Sequence, residues 1–306
     1  MAMALPATNF GNIKFALNNG VEMPAVGIGT YRVRTAEEIY KVVDTALGAG
    51  YRLFDTAGVY GNEVFLGQAF RTLLPKYQLD REDIFITSKL AINASAPIDH
   101  GTMAVPKAFN KSLNNLGMEY IDMYLIHFPG AAKVNNQSVQ NALLRAESWR
   151  AMVKLYDEGR VNTIGVSNYT ISHLSEFLEN HSNIPVINQV EFHPFFNQTE
   201  LLEFCKSQFI GVQAYCSFGG LSIGCSELFN NAVVTKIAAK HEASPAQVLL
   251  LWALQQDISV IPKSTNPKHI KENIQLDFRL TNEEMKALNN LSRHKNKYAW
   301  DSSNVR

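Results

Sequence analysis

Apolar and polar positions along the chain fall into two alternating patterns. Short runs rich in Val, Ile, Phe and Tyr predict eight strands, at 26–29, 51–54, 84–87, 123–126, 163–166, 186–188, 211–214 and 259–261. Between them, longer stretches with helical spacing predict helices at 36–49, 63–74, 102–116, 141–158, 171–179, 199–207, 245–256 and 267–273. Strand and helix in strict alternation imply parallel strands joined by crossover helices. Eight such units in 306 residues fit a closed (β/α)8 TIM barrel better than an open sheet. Ahead of the first unit, 14–17 and 21–23 flank Asn18-Asn19-Gly20. They read as a β-hairpin with an Asn-Gly turn, capping the bottom of the barrel. The apolar stretch 248–254 follows Ser244 and Pro245, an N-cap and first-turn pair that predicts a buried helix. No Pro-, Ser- or Gly-rich linker divides the chain, so a single domain over 1–306 is expected.

Charge and composition narrow the class. Lys+Arg and Asp+Glu both number 28, and a net charge of zero gives no footprint for nucleic acid or an anionic membrane. Three cysteines (Cys205, Cys216 and Cys225) without CxxC or Cys/His spacing argue against a disulfide framework or a structural zinc site. The N-terminal 1–11 has no basic and apolar signal-peptide pattern, and no run of about 18 apolar residues exists to span a membrane. The expectation is a cytoplasmic protein with reduced thiols. Zero charge and the lack of heptads lead to the expectation of a monomer.

The candidate chemistry sits at the strand ends. Seven candidate strands run into a polar or ionisable residue: Asp55, Lys89, His127, Ser167-Asn168, Gln189, Tyr215 and Lys263-Ser264. One such residue is ordinarily the first of a loop. Seven in succession, with a carboxylate, an ammonium and an imidazole among them, point to the barrel's C-terminal mouth, where barrel enzymes keep their sites. Metal-assisted hydrolysis would want an HxH-type cluster of ligands, which these ends lack, so no metal is expected. His193 reads as a structural loop histidine. A Schiff-base role for Lys89 is disfavoured by Tyr60, five residues after Asp55. Gly27-Ile28-Gly29-Thr30 opens like a dinucleotide fingerprint, but residue 32 is Arg where a third glycine is needed.

Gly50-Tyr51-Arg52-Leu53-Phe54-Asp55-Thr56-Ala57, with Tyr60, Asn62, Glu63 and Gly67, resembles the first signature of the aldo-keto reductases. Ile164-Gly165-Val166-Ser167-Asn168-Tyr169 resembles the second, and Ile261-Pro262-Lys263-Ser264 the start of the third. The resemblance runs in order from about Phe15 to Asn273. It implies NADPH-dependent reduction of aldehydes and ketones by a tetrad of Asp55, Tyr60, Lys89 and His127. A carbonyl becoming an alkoxide needs a proton donor, here Tyr60, and a nearby Lys89 ammonium is expected to favour its phenolate. Asp55 would pair with Lys89, and His127 would orient the substrate oxygen. His127 also resembles the carbonyl-reducing majority and not the branch with Glu there, which reduces steroid double bonds.

The same resemblance implies the cofactor contacts. Ser167, Asn168 and Gln189 would hold the carboxamide and Tyr215 would stack on the nicotinamide, with Thr30 nearby. Ser217 and the loop 216–230 would cover the pyrophosphate. Lys263, Ser264, Thr265 and His269 would meet the 2′-phosphate, and Glu272 and Asn273 the adenine. His269 stands where the family's third signature has Arg, and imidazole lacks the bidentate fork of guanidinium. NADH is therefore a second choice. The substrate wall would comprise Tyr31, Val59, Phe128, Phe229 and Trp300. Tyr31, Ala91 and Phe128 stand where many relatives have Trp. Two further readings are a non-enzymatic binding protein on this fold, which the intact tetrad disfavours, and a metal-dependent barrel hydrolase.

Overall fold

The computed structural model describes residues 9–90, 99–180, 183–294 and 296–306. A hairpin of β1 (Lys14–Ala16) and β2 (Glu22–Pro24) precedes eight parallel strands: β3 (Gly27–Gly29), β4 (Leu53–Asp55), β5 (Phe85–Leu90), β6 (Ile121–Ile126), β7 (Val161–Ser167), β8 (Ile187–Glu191), β9 (Gly211–Tyr215) and β10 (Ser259–Val260). Neighbours pair in chain order. A parallel bridge between Val26 and Val260, with Gly29 N donating to Pro262 O at 3.1 Å, brings the last strand back to the first. The (β/α)8 barrel predicted from the alternation is the fold observed. The glycines that imitate a dinucleotide fingerprint serve strand packing. A Cβ at Gly27 would lie 1.9 Å from Leu53 Cδ2, and one at Gly29 would lie 2.9 Å from Ile261 O. Ala91 and the first eight residues of the N-terminal segment lie outside the described residues.

The helices are α1 (Ala36–Ala49), α2 (Glu63–Lys76), α3 (Ala104–Leu116), α4 (Gln140–Asp157), α5 (Ile171–Asn180), α6 (Thr199–Ser207), α7 (Ala232–Lys240), α8 (Pro245–Leu254), α9 (Pro267–Glu272) and α10 (Asn282–Asn289). Their ends follow local chemistry. Thr35 caps α1 by accepting from Glu38 N at 3.2 Å, and Gly50 stops it at φ 99°. Ser244 and Gln247 form a reciprocal capping box on α8, whose residues Val248 to Leu254 are all buried. Among the described residues no helix is long and apolar enough to cross a membrane. At the bottom, Leu17 and Met23 from the hairpin region pack with Leu53, Phe85, Met123 and Ile187. Asn18 Nδ2 donates to Pro185 O and Phe209 O, both at 3.1 Å, pinning the turn across the barrel floor.

Gly67 shows why the first signature needs a glycine there. A Cβ would sit 2.3 Å from the Leu116 carbonyl oxygen, so α2 and the end of α3 meet backbone to backbone. Gly67→Ala is expected to destabilise the fold by about 1–3 kcal/mol, the usual cost of overpacking. Thermal unfolding followed by circular dichroism checks this, and an unchanged midpoint would show that α3 yields freely.

Candidate functional site

The mouth collects ionisable groups from three neighbouring strands. Asp55 ends β4 and is buried; Lys89 lies on β5 and is fully buried. Lys89 Nζ donates to Asp55 Oδ1 and Oδ2, both at 2.7 Å, and to Thr56 O at 2.8 Å, using all three of its N–H groups. Tyr60 follows on a single 3-10 turn, Gly58–Tyr60. That turn is held by Asn62, a fully buried amide that accepts from Thr56 Oγ1 and donates to Thr30 O and Val33 O. The Tyr60 ring centre lies 5.3 Å from Lys89 Nζ, 5.8 Å from the His127 ring and 5.1 Å from Tyr31.

Electrostatics at this cluster differ in one respect from the expectation. Burial first, then the Asp55 carboxylate, pushes the Tyr60 phenol well above its ordinary range. The sequence reading has Lys89 favouring the phenolate; at rest that ammonium donates to Asp55 and Thr56, and burial outweighs it at the phenol. Burial also pulls Lys89 below the usual lysine range, with Asp55 opposing. His127 is held well below the ordinary histidine range by burial and then by Lys89. The site therefore carries a protonated phenol and a neutral imidazole at pH 7.

A polar chain continues inside the barrel. Gln189 Nε2 donates to Asp55 Oδ2 at 2.8 Å and to Gln213 Oε1 at 2.7 Å, and Gln213 Nε2 donates to Ser259 Oγ at 3.0 Å. Both Gln189 N–H groups are thus engaged. Asn168, in the left-handed region at φ 62°, donates to His127 O at 2.9 Å and accepts from the Tyr215 hydroxyl. Ser167 Oγ donates to Gln189 O at 2.7 Å. Gln213 is not among the residues singled out from the sequence. Its signal is a long polar side chain between Val212 and Ala214, inside a barrel strand.

A cavity of about 600 Å³ opens at this mouth. Asp55, Tyr60, His127, Ser167, Asn168, Gln189, Tyr215, Ser217, Lys263, Tyr31 and Trp300 line it. Lys89 lies beneath it, and Thr30 is buried beside it with its hydroxyl donating to Asp55 O. Val59, Phe128 and Phe229 do not line it. Val59 is exposed, Phe128 packs edge-on against Trp300 at 6.0 Å, and Phe229 packs against Phe218. Ser264, Thr265, His269, Glu272 and Asn273 sit beyond Lys263, on the loop into α9 and on α9 or its end. Ser217 Oγ and Asn273 Oδ1 are buried and lack a hydrogen-bond partner among the described residues. Ligand atoms of Glu191, His193 and Cys216 lie within 4.8 Å of one another. Both oxygens of that carboxylate already accept from N–H groups: Oε1 from His193 and Tyr298, Oε2 from Ala299.

A model of the Aldo/keto reductase family matches residues 25–293. The chain is 39% identical over 278 residues to a glyoxal reductase of Bacillus subtilis, covering 90% of this chain and 92% of that protein. It is 35% identical over 318 residues to an NAD(P)H-dependent D-xylose reductase of Candida tropicalis, covering 94% and 95% respectively. The crystal structure of an aldo-keto reductase from a Medee basin deep-sea metagenome library superposes with a TM-score of 0.84 at 37% identity, covering 96% of this chain and all of that one. With the family model spanning most of the barrel and relatives of this identity along nearly its whole length, the chain belongs to the aldo/keto reductase family.

Proposed function

We propose that this protein is an NADPH-dependent reductase of aldehydes and ketones, with Tyr60 as the general acid. The carrying observation is that Tyr60 and His127 stand on the wall of one cavity, above a buried Lys89–Asp55 pair; burial raises the phenol and lowers the imidazole, which keeps both in their neutral forms at pH 7. When bound, the reduced nicotinamide supplies a hydride to the carbonyl carbon. The neutral His127 holds the substrate oxygen through its ring N–H. Tyr60 gives its phenolic proton to that oxygen as negative charge develops there. The resulting phenolate is met by the Lys89 ammonium 5.3 Å from the ring centre, which Asp55 keeps in place, and a proton from solvent restores it.

The residues present fit a nicotinamide dinucleotide. Gln189 has both N–H groups engaged, so its free capacity is the Oε1 acceptor suited to a carboxamide N–H. Ser167 and Asn168 would complete that contact, and Tyr215 would flank the ring. Ser217 Oγ and Asn273 Oδ1, buried and without a partner among the described residues, suit the pyrophosphate and the adenine amino group, with Glu272 beside the latter. Lys263, Ser264, Thr265 and His269 are the candidates for the 2′-phosphate, and NADH is the second choice. In the same proposal the chain is one domain over 1–306 and a cytoplasmic monomer, without nucleic-acid or membrane partners; zero net charge supports the last point alone.

The test is loss of reduced nicotinamide absorbance when NADPH is mixed with the protein and a panel of simple aldehydes and ketones. Binding of NADPH without turnover of any of them would favour a binding protein instead. For cofactor choice, Lys263→Met is expected to weaken NADPH about tenfold or more, as for loss of a charge-assisted contact, and to leave NADH unchanged. His269→Arg should tighten NADPH severalfold. Fluorescence titration with both cofactors reads this, and equal losses for the two would place Lys263 away from the phosphate.

A further inference from the structure

Two covers meet over the cavity, and one buried carboxylate holds the point where they meet. The first cover is the loop after β9. Cys216, Gly219, Gly220 and Gly224 all adopt left-handed φ, of 57°, 57°, 70° and 87°. This loop reaches past β10 to the segment after β3, where Arg32 Nη1 donates to Ser222 O at 2.9 Å. The second is the C-terminal tail, which sets Trp300 against His127 at 4.9 Å between ring centres. Tyr298 joins them. A Cβ at Gly220 would fall 2.6 Å from the Tyr298 ring, so that ring lies flush against the loop's backbone, and Cys225 Sγ lies 3.6 Å from its hydroxyl.

Glu191, at the end of β8, is 1% exposed. Its Oε1 accepts from Tyr298 N at 2.7 Å and from His193 Nε2 at 2.9 Å; its Oε2 accepts from Ala299 N at 2.8 Å. Two consecutive backbone N–H groups of the tail are thus held by one carboxylate on a rigid strand, two residues from Gln189. Charge-assisted contacts of this kind are about twice as strong as neutral ones.

We infer that Glu191 is a positioning residue that clasps the tail, so that Tyr298 props the loop over the cofactor and Trp300 closes the substrate side. This rests on reading the cavity as the site for NADPH and a carbonyl. One clasp then sets two properties: how fast cofactor leaves and how bulky a substrate is admitted. Tyr298 transmits only the first, and Trp300 only the second.

Three variants of the full chain separate these roles: Glu191→Gln, Tyr298→Ala and Trp300→Ala. NADPH dissociation is followed by stopped-flow fluorescence, and KM is measured for a small aliphatic and a bulky aromatic aldehyde. Tyr298→Ala should release NADPH about tenfold faster with little change in KM. Trp300→Ala should shift the ratio of the two KM values and leave release unchanged. Glu191→Gln should do both. The clasp is wrong if Glu191→Gln moves one property or neither, or if Trp300→Ala speeds release as much as Tyr298→Ala. Should Glu191→Gln fail to fold, Tyr298→Ala decides by whether release accelerates. Hydrogen exchange on the protein without cofactor gives an independent readout. Exchange in Glu191→Gln should rise together in 217–225 and 298–300, and unchanged exchange in either segment overturns the clasp. A wild type that does not bind NADPH would defeat the reading of the cavity, while exchange would still decide the clasp.

Discussion

Tyr60→Phe is expected to lower kcat for carbonyl reduction by about a thousandfold or more, toward the upper end of what a positioned acid contributes, while NADPH affinity stays within about twofold. Phenylalanine keeps the ring contacts with Tyr31 and His127, at 5.1 and 5.8 Å, so only the transferable proton is lost. The pH profile tests the same assignment in the wild type. Burial and Asp55 hold the phenol well above its ordinary range. A group with a raised pKa is in its acid form below that value and loses it only as pH rises through it. The acid is therefore present throughout the neutral range, and its loss belongs above about pH 10. His127 is shifted in the opposite sense, so its imidazole is neutral at pH 7 and stays neutral from there to pH 9. The reduction kcat should be flat across that window when hydride transfer is limiting. A sigmoid centred near neutrality would mean that one of these two groups titrates there and that burial does not govern it.

Much of the frame follows from features that are local in sequence. Short β-branched and aromatic runs, helical patterns, the Asn-Gly turn and the cap at Ser244 each state their structure within a few residues. The ends of the strands do not. The predicted strands at 84–87 and 186–188 stop at the first polar residue, whereas β5 runs to Leu90 and β8 to Glu191. Lys89 and Gln189 are polar but belong to the sheet, because their partners Asp55 and Gln213 come from other strands inside the barrel. A single segment gives no sign of such pairing. The same holds for Glu191, whose role depends on residues more than a hundred positions away. Helix α7 goes unassigned in the sequence reading because it follows an irregular loop directly and has only Asn231, accepting from Val233 N, to announce it. Pocket walls are the hardest to read. Phe128 follows His127 immediately, yet its ring packs against Trp300 and does not line the cavity. Which aromatic faces the cavity is decided by how the tail crosses the mouth.

Lys89→Met should cost both turnover and stability, and a second substitution should separate the two losses. Lys89 has no exposed side-chain surface, and Asp55 is nearly as deeply buried. Methionine fills a similar volume but leaves the carboxylate with Gln189 Nε2 as its remaining side-chain donor among the described residues. Removing one partner of a buried ion pair typically destabilises by about 3–5 kcal/mol, mostly through the uncompensated charge left behind. Turnover should fall far more than tenfold, since the ammonium that meets the developing phenolate is gone. In the double variant Asp55→Asn with Lys89→Met the stranded charge is absent. Asparagine can still accept from Gln189, so most of the lost stability should return. Turnover should not return, because neither substitution restores a cation beside Tyr60. Denaturant unfolding of the three proteins and single-turnover reduction with bound NADPH measure the two quantities side by side. Recovery of turnover along with stability would show that Lys89 acts by holding the fold of the mouth and not by stabilising the proton-transfer step.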